Sequence, residues 1–478
     1  MRSCPRCRGT SQGREIARED AEKLGLTGMT KAQRWGFFAV VSLGLLVISL
    51  DNSILYTALP ALERSLGASP EQGLWIINAY PLVLSGLLLG TGALGDRVGH
   101  RLMFLAGLVI FGAASLGAAF APGPFALIFA RDLLGAGAAV MMPATLALIR
   151  LTFPDERERN TAIGIWGSVA VAGGALGPVV GGALLGHFWV GSVFLINVPI
   201  VVGALVLTVI LAPPNLPNPD KRWDLVSSLY ALVALSGLTM AIKQAANPQS
   251  GAWLFGGVAA AVLGGWLFVR RQHRLEDPLL TFEIFRSRMF TGGVLAAVGG
   301  MFVLAGVELM TTQKLQLIDE LTPLAAGATV AVMAAAAIPA SALGGAYLHA
   351  VGFLPLIAGG FAGAAVGAGV LVAGGTWIGL VLLGLSAGSV MSVSSIAIIG
   401  SAPMHRSGMA AGVEEVSYEL GTLVTVALTG SLLQAGLDRG VEYTDAYDSV
   451  IAVLGAAAVA FCVATAVCFR GNPKSGGA

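Results

Sequence analysis

The chain reads as a succession of long apolar stretches separated by short polar connections. A helix that crosses a bilayer needs about 20 mostly apolar residues. Stretches of that kind lie at 36–59, 73–94, 102–121, 125–149, 160–186, 191–212, 223–242, 251–270, 290–311, 323–348, 352–372, 375–401, 407–436 and 449–469. Two divisions are only weakly marked. One falls within 102–149, where Ala121-Pro122-Gly123-Pro124 supplies a tight turn, and the other within 352–401, where Gly374-Gly375 is the punctuation. The pattern predicts an all-α polytopic membrane protein of fourteen spans.

The polar connections carry an uneven charge. One side collects Arg97 and Arg101, then Arg150, Arg157 and Arg159, then Lys221 and Arg222, then Arg270, Arg271, Arg274, Arg286 and Arg288, then Arg406, Arg470 and Lys474. The other side offers Arg64, Lys243, Lys314 and Arg439, the last among Asp438, Glu442, Asp445 and Asp448. Lys and Arg concentrate on the cytoplasmic side of membrane proteins. The asymmetry holds loop after loop only for an even number of spans, so both termini are expected in the cytoplasm and the chain in the cytoplasmic (inner) membrane. Residues 1–35 are polar and basic without a signal-like apolar segment and read as a disordered tail. Met29-Thr-Lys-Ala-Gln-Arg-Trp offers an alternative start.

Composition agrees with this reading. Apolar residues make up 55% and charged residues 12% of the 478, against about 45–50% and about 25% in soluble domains. A net charge of +1 gives no reason to expect a nucleic-acid partner. Cys4 and Cys7 form a lone CxxC, Cys462 and Cys468 lie in the last apolar stretch, and no set of about four metal ligands is present. There is no GxxxxGK[ST] phosphate loop and no other enzyme signature, so neither a cofactor nor ATP hydrolysis within this chain is expected.

An internal repeat is visible. Gly92-Ala-Leu-Gly-Asp-Arg-Val-Gly99 follows span 2, and Gly345-Ala-Tyr-Leu-His-Ala-Val-Gly352 follows span 10. The repeat divides the chain into a six-helix block at 36–212, an insert with two extra spans at 213–289, a second six-helix block at 290–470 and a tail at 471–478.

Three local patterns carry candidate chemistry. Gly92, Gly95, Asp96, Arg97, Gly99 and Arg101 lie in the GALGDRVGHR turn, where the glycines permit a tight bend. Opposite charges at its helix ends can latch one bundle against another; the plainer reading is a polar loop. Arg131 sits inside span 4. A charge there is costly and functional by default, unless the side chain snorkels to the interface; Asp132 beside it is a second possible partner. Span 5 carries Gly173, Gly177, Pro178, Gly181 and Gly182. Its glycine stripe lets helices approach closely, and its proline removes a backbone donor.

In order and position these patterns resemble the major facilitator superfamily. The matching segments read GALGDRVGHR after span 2, RDLLGAGAAV in span 4, GGALGPVVGG in span 5 and LDNSILYTALP at 50–60 in span 1. Residues 74–92, 187–200 and 413–421 are similar to the fourteen-span drug:proton antiporters that export quaternary ammonium compounds and methyl viologen. The resemblance covers about 30–470 and implies two six-helix bundles plus two central helices. It also implies a site near the midplane between the halves. Three residues depart from the pattern: Asn78 stands where relatives often carry aspartate, Asp132 where they have an apolar residue, and His100 where Lys or Arg is common.

Beside the resemblance stand the acids. Asp51, Glu308, Glu414, Glu415 and Glu419 all fall within predicted spans, against Arg131 as the one deep basic residue. A lone carboxylate in a low-dielectric interior is costly to keep charged, so each is a candidate proton carrier. An excess of acids suits a cationic substrate. Asp51 and Glu308 lie on repeat-equivalent spans and are expected to face each other across a central cavity. Glu415 and Glu419 share a helix face, and Glu414 points about 100° away from Glu415. Tyr56, Tyr80, Trp166, Phe302 and Tyr418 can stack on an organic cation or simply pack. Three functions remain: a proton-coupled exporter of lipophilic cations acting as a monomer, a related exporter of a non-cationic metabolite or antibiotic, and a non-transporting membrane receptor or scaffold on the same fold.

Overall fold

The computed structural model describes residues 29–219, 223–245, 251–275, 278–401 and 407–470. Within them the chain forms α1 (Lys31–Leu66), α2 (Pro70–Val98), α3 (His100–Ala119), α4 (Pro124–Thr152) and α5 (Glu156–His187). Next come α6 (Ser192–Leu211, broken at Ile196), α7 (Leu225–Ala245), α8 (Gly251–Gln272) and α9 (Arg288–Leu317). The series ends with α10 (Pro323–Val351), α11 (Phe353–Val372), α12 (Thr376–Ser401), α13 (Ser407–Asp438) and α14 (Tyr443–Phe469). Thirteen of these are long and apolar enough to cross a membrane among the described residues. The 32-residue α5 is the fourteenth long helix.

Local chemistry sets the helix ends. Thr30 with Gln33 and Ser69 with Gln72 form capping boxes at the starts of α1 and α2. Gly99 and Gly352 end α2 and α10 at φ +97° and +89°. That backbone region is open to glycine and strained for other residues, which explains why both copies of the sequence repeat end in glycine.

Several boundaries differ from the apolar pattern. Helix α14 begins at Tyr443, so Asp445 and Asp448 lie in its first turns and not in a loop. Arg64 and Lys314 are helical, and Lys243 is buried in α7 at 6% exposure. Polar residues near a span end extend a helix whenever its carbonyls can continue the ladder, and hydropathy does not register that. Residues 1–28, Lys221, Arg222, Arg406, Lys474 and the side chain of Arg157 lie outside the described residues.

The helices assemble as two matching bundles. Helix α1 packs on α4, α5 and α6, α4 on α2 and α3, and α3 on α6; α9 packs on α12, α13 and α14, α12 on α10 and α11, and α11 on α14. The bundles meet along two equivalent seams, α2 against α13 and α5 against α10, with α1 against α9 between them. The hairpin α7–α8 lies outside, with α7 on α2 and α13. We call the face where the chain enters α1 and leaves α14 the terminal face, and the opposite one the far face.

Candidate functional site

The first bundle encloses an ion pair. Arg131, on α4, is fully buried, and its Nη1 donates to Asp51 Oδ2 of α1 at 2.5 Å. Its Nε donates to the Ile76 carbonyl at 3.2 Å, and its guanidinium lies 4.6 Å from the centre of the Tyr80 ring on α2. Asn197, in α6, donates to Asp51 Oδ1 at 2.7 Å and also reaches Ser115 Oγ of α3. Five helices therefore converge on one carboxylate and one guanidinium. A buried pair is tolerated when its remaining donors and acceptors are satisfied, and both Asp51 oxygens are. Arg131 Nη2 has no hydrogen-bond partner among the described residues.

Asp51 does not face Glu308 across a cavity, as the repeat suggested. It is 1% exposed and turned into its own bundle, because Arg131 and Asn197 supply the donors that an ionised carboxylate needs. Arg131 does not snorkel; its donors end on α1 and α2.

The second bundle supplies the other acids. Glu414, Glu415 and Glu419 lie on α13, with Glu419 buried and the other two partly exposed. Tyr418 OH donates to Glu414 Oε1 at 3.0 Å. Glu419 Oε2 has no partner among the described residues and lies within electrostatic reach of Arg131. Glu308, on α9, is partly exposed. Buried Tyr56 lies within reach of Glu308, Glu419 and Arg131 together. Across α1, α2, α4, α9 and α13 the two tyrosines thus stand between an ion pair in one half and acids in the other.

The remaining aromatic candidates divide. The Trp166 ring nitrogen donates to Thr145 Oγ1 at 3.1 Å, which ties α5 to α4. Phe302 is 6% exposed and lies 5.9 Å from Phe461 of α14, so it serves bundle packing and not a cation surface. Asn78 is fully buried, and neither of its amide atoms has a partner among the described residues.

The turn and span-5 patterns are placed as follows. Asp96 Oδ1 lies 3.1 Å from His100 Nε2, and the Asp96 and Arg97 carbonyls accept from Asn218 N. Asn215 accepts from Leu102 N at 3.1 Å and donates to the Val98 carbonyl at 2.7 Å. Arg101 donates to the Val209 carbonyl. The linker after α6 is thereby strapped over the α2–α3 turn. Gly173, Gly177 and Gly181 face α1, where side chains there would crowd Ser49, Ser53 and Ile54. Gly182 lies against the Leu324 backbone, and Pro178 against Gly327.

Sequence reasoning did not single out Asn197, although an amide in an apolar span is a signal of the same kind as Arg131. It also missed Gly327, which has no local signature among 65 glycines. A third omission is Gln316, whose Nε2 donates to the Thr57 carbonyl across the two halves at 2.9 Å.

A polytopic helical chain with two matching bundles and buried charge between them has the build of a membrane carrier. The family model of the Major Facilitator Superfamily matches residues 41–413, and the chain belongs to that family. It is similar to the methyl viologen resistance protein SmvA of Salmonella typhimurium, 36% identical over 86% of this chain and 84% of that protein. The multidrug efflux pump LfrA of Mycolicibacterium smegmatis is 38% identical over 86% and 82%. The tetracenomycin C resistance and export protein of Streptomyces glaucescens is 32% identical over 84% and 76%. These relatives place the chain with the drug exporters of the superfamily's drug:proton antiporter branch. Among solved structures the fold matches a peptide transporter of the POT family, at a TM-score of 0.65 and 16% identity over 91% of this chain and 96% of that one.

Proposed function

We propose that the protein is a proton-coupled exporter of lipophilic organic cations, such as quaternary ammonium compounds, dyes and biocides. It works by alternating access as a monomer in the cytoplasmic membrane, with the terminal face in the cytoplasm. The observation that carries this reading is the enclosed Asp51–Arg131 pair opposite the Glu308, Glu414, Glu415 and Glu419 acids. A proton on Asp51 removes the counter-ion of a fully buried guanidinium, which is costly to leave unpaired. Arg131 then gains by turning its free Nη2 towards Glu419, drawing the halves together and displacing a cation held by the acids. Loss of the proton restores the first pairing and frees the acids. The strapped Asp96 turn biases the equilibrium between the two arrangements. The exporters of methyl viologen and other drugs among the relatives support the substrate class.

Ethidium efflux from loaded vesicles, with and without an imposed pH gradient, tests the reading. Wild-type efflux is expected to follow the gradient, Asp51→Asn to abolish the gradient-driven part while the protein stays folded, and Asp51→Glu to retain some activity. Wild-type rates in Asp51→Asn would pass the coupling role to Glu308 or the α13 acids. Relatives named for antibiotic resistance support a second reading, export of a non-cationic compound. Gradient-driven efflux of such a compound without any of ethidium would select it.

A further inference from the structure

The two seams between the bundles are equivalent by symmetry but not in build. On α2 and α13, Leu74 lies against Gly430 near the far face, and Leu89 lies within 2.9 Å of where a Gly412 side chain would begin, near the terminal face. This seam is closed at both levels. Helix α7 also runs antiparallel along α2 in one register. Lys243 sits over the Trp75 ring at 4.1 Å, the Leu232 backbone approaches Gly86, and Ser228 approaches Gly90. The residue numbers of each pair sum to the same value, so the register is unbroken over about ten turns' span of both helices together. The strap through Asn215 extends it to the terminal face.

The α5–α10 seam is built otherwise. Gly174, Pro178 and Gly182 form one stripe on α5. At Gly182 the Leu324 backbone leaves no room for a methyl, yet at Gly174 nothing lies within 4 Å. The helices part within two turns of the far-face contact. On α10 the matching stripe runs from Gly327 through exposed Ala335 to Ile338, which is 51% exposed. Past Pro339, Gly345 lies 3.4 Å from Ser392 of α12. Helix α10 has turned to its own bundle and left α5.

We propose that lipophilic cations reach the central acids sideways from the bilayer, through the parted half of the α5–α10 seam, and that the α7–α8 hairpin shuts the equivalent path at α2–α13. This rests on the cation-export reading for its substrate. The parted half adjoins the terminal face, so the path opens to the leaflet on that side. A cation that partitions into this leaflet is concentrated there before it is captured.

The test has two arms. In the first, bimane on a single cysteine replacing Gly174 or Leu89 is exposed to brominated lipids in nanodiscs. Quenching at 174 and none at 89 is expected; equal quenching, or none at 174, overturns the proposal whatever the protein transports. In the second, Ile338→Trp and Gly174→Phe are each assayed with tetraphenylphosphonium, which enters membranes, and methyl viologen, a hydrophilic dication. Either variant should slow the first by about fivefold or more and the second by less than about twofold. Equal slowing of both substrates overturns the portal. Absence of gradient-driven efflux of either cation by the wild-type protein removes the cation-export reading instead, and leaves the quenching contrast to judge the crevice.

Discussion

Helices α2 and α10 occupy equivalent places in the two bundles and begin alike, with proline at the first turn and glycine at the end. Yet α2 is buried along nearly its whole length, whereas α10 buries little more than a stripe on α12. The cause is the inserted hairpin. It occupies one flank of a two-fold arrangement and leaves the other to lipid. A gene-level repeat therefore yields two seams with different physical surroundings. One is walled by protein, so that opening it requires α13 to slide along α7. The other is held at one end by backbone-to-backbone contact and otherwise faces the bilayer. Alternating access on such a frame is asymmetric about its own axis.

The contrast can be broken most severely at the far end of the α5–α10 seam. Gly327→Leu drives a side chain into the Pro178 backbone, an overpacking expected to cost about 3 kcal/mol. Efflux should be lost, and a cysteine replacing Leu324 should become more reactive to an impermeant thiol reagent. The same change at Gly174, two turns away on the facing stripe, should leave the melting temperature unaltered. If both substitutions behave alike, the two ends of the seam do not differ as described.

A middle-sized effect is expected where the hairpin meets α2. Lys243 is 6% exposed, and its Nζ has no hydrogen-bond partner among the described residues; the Trp75 ring is its counterpart. Trp75→Leu leaves a buried ammonium without that ring, at a cost of about 2 kcal/mol. The melting temperature should fall, and a cysteine pair replacing Gly90 and Ser228 should cross-link less readily. The double variant with Lys243→Met should recover most of the loss, since the charge that needed the ring is gone. Failure of the second substitution to rescue would show that Trp75 acts by packing alone.

The smallest effect belongs to the hairpin's terminal end. Arg271 binds Asp224 through two nitrogens, with Nε–Oδ2 and Nη2–Oδ1 both at 2.9 Å. Burial pushes the Asp224 carboxyl up, but the hydrogen bonds from Arg271 and Ser227 outweigh it and hold it below the ordinary carboxylate range. A carboxyl lowered on folding adds stability above its unfolded pKa, about 3.9 for aspartate, and loses it as pH falls through the lower folded value. The pair is partly exposed, so Asp224→Asn should cost about 0.5–1 kcal/mol at neutral pH. Melting curves of the two proteins should converge below about pH 4. A difference that persists at pH 2 would assign the effect to something other than this carboxylate.

Much of the architecture was legible beforehand, and the misses are informative. Apolar runs fixed the helices to within a few residues, except where charged ends such as Asp445 and Lys243 continue a helix beyond its apolar part. Arg131 stood out because a charge in a span has few benign explanations. Asp51 stood out too, but its expected partner was the repeat-equivalent Glu308, and the structure turns it to Arg131 and Asn197. Symmetry relates positions and says nothing of which neighbour a side chain bonds. Phe302 looked like a cation surface for the same reason and is packing against Phe461.

By itself, then, the sequence determined the number of spans, their connection, the repeat and the residues too polar to sit in lipid without a reason. These are local properties, set by runs of about 20 residues and by single substitutions within them. The tertiary structure alone decided which helices touch, where α7 lies, which seam it covers and what Asp51 binds. A spanning helix is apolar all round, so no periodicity marks the face that packs. Contact between such helices comes from close fit at small residues, not from burial away from water. Gly182 and Gly174 share one stripe on α5, and only the course of α10 makes one a contact and the other open space.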